Sequence, residues 1–349
     1  LLSLSPNTHG DSLGYHFVVA KKLLSSGKYF ADITHFHSLL AGSGEIIIAI
    51  GLFFGSEQFG GLIQFSGLVS IFGIFKKIEN KNKYYYFLLA LTSPIILFLS
   101  STAKPQLFHI CSSAAVFSLY FLNNSKKLTT NEEKWKILLS LLILLVSVTA
   151  KFNFILSSFI LIIYIFYISI KNNNYKFFLY TSILIFLIFY LPIIFWKYLN
   201  LGGNFFQYLY SPVPLNILGL AEFKQYLVRY GGGTNYLKII FPTNLNQISN
   251  SVGVAFCYIF LLNFKKKHVR IVFLMIISYL MLNYIFGQFI GRIFLEPLFW
   301  ILLISAKYGN TLRLKIFEYF CRFQTFIVIG AILYGVFTIF PATFSKINK

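Results

Sequence analysis

Apolar runs near twenty residues recur along this 349-residue chain, separated by short breaks rich in Lys and Asn. No other feature constrains the fold as tightly. About twenty apolar residues wound as a helix cross the ~30 Å hydrocarbon layer of a bilayer, with every backbone group satisfied inside the segment. Charged residues make up 11% of the chain and hydrophobic ones 57%, whereas roughly a quarter of a soluble domain is charged. An all-α, polytopic transmembrane helical bundle is therefore expected, with the lipid bilayer as its solvent. The net charge of +20 would suggest nucleic acid as partner of a soluble protein. Here the Lys and Arg that orient membrane loops account for it, and no nucleic-acid partner is expected. Cys111, Cys257 and Cys321 show neither zinc spacing nor a disulfide framework.

The runs give about ten spans, at residues 57–76, 84–101, 105–122, 136–150, 152–170, 176–196, 250–264, 269–286, 292–306 and 324–341. Loops 77–83, 123–135, 171–175, 265–268 and 307–323 collect Lys and Arg and are assigned to the cytoplasm. The opposite face carries 1–56, turns at 101–105, Lys151 and 287–291, and the long loop 197–249. The chain opens in a polar stretch without an initiator Met, and a further span is expected ahead of Leu1. The whole, 1–349, reads as one membrane domain, with 1–56 as a first external loop and 197–249 as a large external loop.

Within that first loop, residues 11–26 read as an amphipathic helix lying on the membrane. Asp11 is its N-cap, Leu13, Phe17, Ala20, Leu23 and Leu24 form its apolar stripe, and Gly27 stops it. The apolar piece 39–54 reads as a second juxtamembrane helix. Were it to span, the basic loops near 76–83 and 126–136 would share the side of Asp11, against the positive-inside rule.

Polar chemistry concentrates in this loop. Residues 1–37 hold both aspartates, Asp11 and Asp32, and four of the six histidines, His9, His16, His35 and His37. On the same face lie the cations Lys104, Lys151, Lys197 and Arg292. A carboxylate beside cations suits proton abstraction next to a bound phosphate. Plainer readings stand beside this one. Asp11 caps a helix, Lys104 and Lys151 snorkel to the interface, and Arg292 and Glu296, four apart, neutralise each other. His35 and His37 have no firm ligand spacing with His9 or Asp32, so no metal site is assigned, and a divalent cation stays open as cofactor. Glu45 and the loop 230–236 read as structural.

The succession Asp11-x-x-x-Tyr15-His16…Ala20-Lys21…Gly27, then Phe53-Phe54-Gly55, Lys151 alone between paired spans, and Arg292-Ile-Phe-Leu-Glu-Pro297 resembles the GT-C glycosyltransferases. Within that superfamily it is most similar to the bacterial branch related to the lipopolysaccharide-core transferases of rhizobia. Aminoarabinose transferases and protein O-mannosyltransferases are more distantly similar. The resemblance extends over nearly the whole chain. It implies a polyprenyl-phosphate-linked sugar as donor, a lipid, glycan or protein acceptor, and a bacterial plasma membrane with the site facing outward. The expected site has Asp11 as catalytic base, with Tyr15, His16, His35, His37, Lys104, Lys151 and Arg292 binding substrate. At one point the chain departs from the pattern: Lys104-Pro105-Gln106 stands where relatives often carry Pro-Asp. A transporter or flippase, a polymerase or ligase of lipid-linked glycans, and a non-catalytic scaffold are the alternatives.

Overall fold

A computed structural model describes residues 1–27, 40–122, 129–211, 225, 239–240, 250–286, 290–308 and 315–344. Every regular element among them is helical. The principal helices are α1 (Phe17–Ser26), α2 (Gly44–Phe53), α3 (Phe59–Lys77), α4 (Lys83–Leu91), α5 (Pro94–Ser100), α6 (Leu107–Phe121), α7 (Thr130–Ala150) and α8 (Ile155–Lys171). They are followed by α9 (Tyr175–Leu201), α10 (Lys267–Phe286), α11 (Leu295–Tyr308) and α12 (Lys315–Thr338).

Five helices among the described residues are long and apolar enough to cross a bilayer, and six if the bent pair α4–α5 is one span. The five are Phe59–Lys77, Phe152–Lys171, Tyr175–Leu201, Lys267–Phe286 and Glu318–Thr338, each matching a run in the sequence. The expected count of about ten is corrected by the other five runs. Run 84–101 is broken into α4 and α5, bent by 74°, because Pro94 has no N–H and holds Ser93 extended. Run 250–264 contains a 3-10 segment, Val254–Leu261, rather than a long α-helix. Runs 105–122 and 292–306 form α6 and α11, of 15 and 14 residues, or roughly 21–23 Å at 1.5 Å per residue. Run 136–150 is the apolar end of α7, whose first turns carry Glu132, Glu133, Lys134 and Lys136.

The chain divides into two compact units. The first comprises Leu1–Thr8, Gln58–Leu122 and Tyr230–Lys349. At its centre is α11, in which every residue from Leu295 to Ala306 is buried. Buried on all sides, it lies in the interior of the bundle, and at 14 residues it falls short of the length that a bilayer span needs. It packs against α4, α6 and α10, with Trp300 stacked on Phe117 at 5.7 Å between ring centroids. Helix α3 buries Gly60, Gly61, Gln64, Gly67, Leu68, Ile71 and Phe75, one face at helical spacing. Gly67 lets α6 approach: a Cβ there would sit 3.0 Å from the Phe108 Cα, the close contact that small residues allow between membrane helices. Beside it, the Gln64 Oε1 accepts the Gln106 and Phe108 N–H groups at 3.1 and 3.0 Å, satisfying open donors at the start of α6.

The second unit comprises His9–Glu57 and Asn123–Arg229. Its frame is α7, α8 and α9. Helix α7 begins in a reciprocal capping box, Thr129 Oγ1 accepting the Glu132 N–H while the Glu132 carboxylate accepts the Thr129 N–H. The Asn-rich break between α8 and α9 is tied back to α7: Asn172 and Asn174 amides donate to the two Glu133 oxygens at 2.9 and 2.6 Å. Outward-facing Ile183, Leu187, Ile188 and Phe195 leave α9 with an exposed apolar side, as a lipid-facing helix has.

Candidate functional site

The expected site residues divide between the units. Asp11, Tyr15, His16 and Lys151 belong to the second, and Lys104 and Arg292 to the first. His35 and His37 lie outside the described residues.

In the second unit, the stretch after Asp11 begins with a π-wound turn, Ser12–His16, and continues as α1 to Gly27, which closes it in the left-handed conformation. The wide first turn sets the face that is buried. Ser12, Tyr15, His16, Val19 and Ala20 are buried, with Phe17, while Leu13, Val18 and Leu24 are exposed. The stripe expected at 13, 17, 20, 23 and 24 is thus corrected by a rotation toward Tyr15 and His16, because polar groups on this face have partners inside the protein. Asp11 itself has helical φ and ψ, is half-buried, and makes no capping hydrogen bond with its side chain. Its reading as an N-cap is therefore set aside.

The partner of His16 is Glu45. Its Oε1 lies 2.6 Å from the His16 Nδ1, and both side chains are 2% exposed. The other oxygen, Oε2, accepts the Gly42 N–H at 2.7 Å. Lys197, buried near the end of α9, interacts electrostatically with the same carboxylate. This is how a carboxylate is tolerated in the apolar helix α2: each oxygen has a donor and a cation faces it. Sequence reading treats Glu45 as structural and misses the pair. The available signal was the one acidic residue inside an apolar run, which needs a buried partner.

The loop before Glu45 is fastened in turn to the end of α7. The Ser43 N–H donates to the Thr149 carbonyl at 2.9 Å, and the two hydroxyls meet at 2.8 Å. A Cβ on Gly42 would stand 2.1 Å from that carbonyl, so only glycine permits the approach. Two residues later α7 ends at Lys151, extended and half-buried, before the 3-10 turn Phe152–Phe154. A narrow cavity lined by Gly42, Thr149, Tyr190, Lys197 and Tyr208 adjoins this fastening; it has room for about one water. Lys197, expected to open the long external loop, is instead inside α9, which runs to Leu201. Past it, Asn204 caps a 3-10 turn in which Gln207 and Tyr208 are buried and Tyr210 exposed. Most of the remaining loop to 249, including Asn235 and Tyr236, lies outside the described residues.

In the first unit, Lys104 is buried in the turn before α6, where the Ala103 N–H donates to Asn7 Oδ1 at 2.9 Å. Arg292 is half-buried in the 3-10 turn Gly291–Phe294, and Glu296 accepts the Tyr279 hydroxyl at 3.0 Å. The same unit contains an apolar groove of about 870 Å³, its open side included, walled by Phe65, Leu68, Leu97, Val328, Ile332 and Val336 among others. Two of its walls, α3 and α12, contain candidate spans. Among the described residues no three His, Cys, Asp or Glu side chains are grouped to hold a metal ion.

No curated protein and no solved structure matches the chain significantly. The model of the DUF1420 N-terminal domain matches residues 1–349, and the chain belongs to that family.

Proposed function

We propose that this chain is a membrane glycosyltransferase of GT-C type, moving a sugar from a polyprenyl-phosphate donor to a lipid, glycan or protein acceptor with inversion. Asp11 accepts the proton of the acceptor hydroxyl as that oxygen attacks the anomeric carbon. The phosphate is a weakly basic leaving group and departs without a carboxylic acid to protonate it, so one carboxylate suffices. Lys151, in the same unit as Asp11, balances charge on the departing phosphate. The reading places the reaction on the outer face of a bacterial plasma membrane, with α1 and its π-wound first turn, Ser12–Ser26, and the ten-residue α2 lying along the interface, because ~15–22 Å of helix cannot cross it. The observation that carries it is Asp11: one of two aspartates in an acid-poor chain, half-buried at the start of a helix.

One observation favours a second reading, a flippase for lipid-linked glycans. The discontinuous pair α4–α5 is the kind of broken helix on which transporters build binding sites. Against it, the backbone groups freed at this break are already engaged: the Thr92 carbonyl by Gln324, and the Ile95 N–H by the Ser251 carbonyl.

The deciding experiment is Asp11→Asn in the purified chain with decaprenyl-phosphate-linked glucose, transfer being followed by mass spectrometry. Loss of a proton acceptor predicts a fall of about 10²–10⁴ in turnover. Near-normal turnover from a folded variant refutes the assignment, and downhill movement of donor between leaflets without transfer supports the flippase.

A further inference from the structure

We infer that Glu45 is a positioning residue, a brace that fixes the Asp11-bearing helix start relative to the Lys151 turn. The inference rests on the transferase reading for its consequence in catalysis, and on hydrogen bonds within the second unit for its geometry. One oxygen of Glu45 holds His16, five residues beyond Asp11 on the same π-wound turn. The other holds the Gly42 N–H, and the next residue, Ser43, is bonded through backbone and hydroxyl to Thr149, two residues before Lys151. Asp11 and Lys151 are thus tied to one carboxylate through short hydrogen-bonded links, the two at Glu45 itself buried.

A simpler fastening was open to this fold. Apolar contacts between α1 and α2 would be no less stable, since a buried ionic group seldom adds net stability over a well-packed hydrophobic one. What a two-armed carboxylate adds is direction. Each arm fixes a donor at hydrogen-bond distance, so the helix start can neither slide nor rotate against the turn. A proton acceptor and a phosphate-binding cation must be held to within about half an ångström to work together, and ~1 Å of misplacement costs up to ~100-fold in rate. Lys197, buried in the same unit, interacts electrostatically with the carboxylate. Glu45 thereby acts through His16 and Gly42 and touches no substrate.

The test uses the full chain in lipid nanodiscs, with the three native cysteines replaced by alanine and spin labels at Leu13 and Asn153, both exposed. Glu45→Ala cuts both arms. It is expected to broaden the 13–153 distance distribution. With decaprenyl-phosphate-linked glucose as probe it should lower kcat by about tenfold to a hundredfold, while KM stays within about twofold. Glu45→Gln can still accept from Gly42 and reach His16, and it should restore the narrow distribution and most of kcat. If Glu45→Ala fails to fold, Thr149→Val removes the hydroxyl link, together with that hydroxyl's bond to the Val146 carbonyl in its own helix, and should give a smaller broadening with a smaller loss of kcat. An unchanged distribution in Glu45→Ala, or in Thr149→Val where that variant replaces it, overturns the brace. So does a loss confined to KM. A chain inactive with the probe, or an Asp11→Asn variant at full turnover, refutes the transferase reading alone, because the distances decide the brace without turnover.

Discussion

Gln324→Leu should destabilise the first unit far more than its conservative volume suggests. Gln324 is buried in α12, and its amide serves two breaks at once. Its Nε2 donates to the Thr92 carbonyl, left open where α4 stops, and its Oε1 accepts the Val254 N–H at 2.7 Å where the 3-10 segment begins. Side-chain hydrogen bonds between membrane helices average only ~0.6 kcal/mol, because the freed groups find other partners. Here both partners are backbone groups at the ends of interrupted helices, with no turn of their own to re-form. Each then costs ~1–3 kcal/mol when orphaned, and leucine's added apolar burial returns ~1–2 kcal/mol. The net expectation is a loss of about 2–4 kcal/mol, read by reversible unfolding in mixed detergent–denaturant micelles. Gln324→Glu supplies an internal check, since its carboxyl can donate and accept only while protonated. The folded state then holds the proton more tightly than the unfolded one, so stability falls as pH rises and returns on acidification; Gln324→Leu should show no such recovery. A Gln324→Leu variant within ~0.5 kcal/mol of the parent would refute the account of how the breaks are satisfied.

Other substitutions follow from the same contacts. Gly42→Ala drives a Cβ into the Thr149 carbonyl and should cost about 1–3 kcal/mol as a lowered melting temperature in detergent. Gly73→Ala, with nothing within 4 Å of the new Cβ, should be neutral or slightly stabilising in the same melt. Thr129→Ala removes the α7 capping box and should cost about 1 kcal/mol, detected as faster amide hydrogen exchange over residues 130–133.

Hydropathy located the five long helices because each is an unbroken run, and the α7–α8 break at Lys151 because a lone cation stands between two runs. It overcounted spans where the same apolar content serves a different structure. The run at 292–306 forms a helix buried on all sides, and a window average cannot tell a core helix from a lipid-facing one. The break at 92–94 was legible in Ser93-Pro94, since a residue preceding proline is biased away from helix, but the surrounding hydrophobicity overrode that signal. The face of α1 was misjudged for the opposite reason. Counting only apolar residues placed Tyr15 and His16 off the stripe, although His16 reaches Glu45, 29 residues away, through a pairing that has no period to detect.

These pairings share a cause that changes how interior polar residues in such a chain should be interpreted. Gln324 serves the openings at Thr92 and Val254, Gln64 the start of α6, Asn7 the turn at Ala103, and Ser43 the end of α7. In lipid no water can take up the N–H and C=O groups released where a helix stops, so a neighbouring segment must supply the partner. A polar side chain within an apolar run therefore forecasts a helix break elsewhere in the chain before it forecasts chemistry. By that standard Gln64, Gln324, Asn7 and Ser43 are accounted for by architecture.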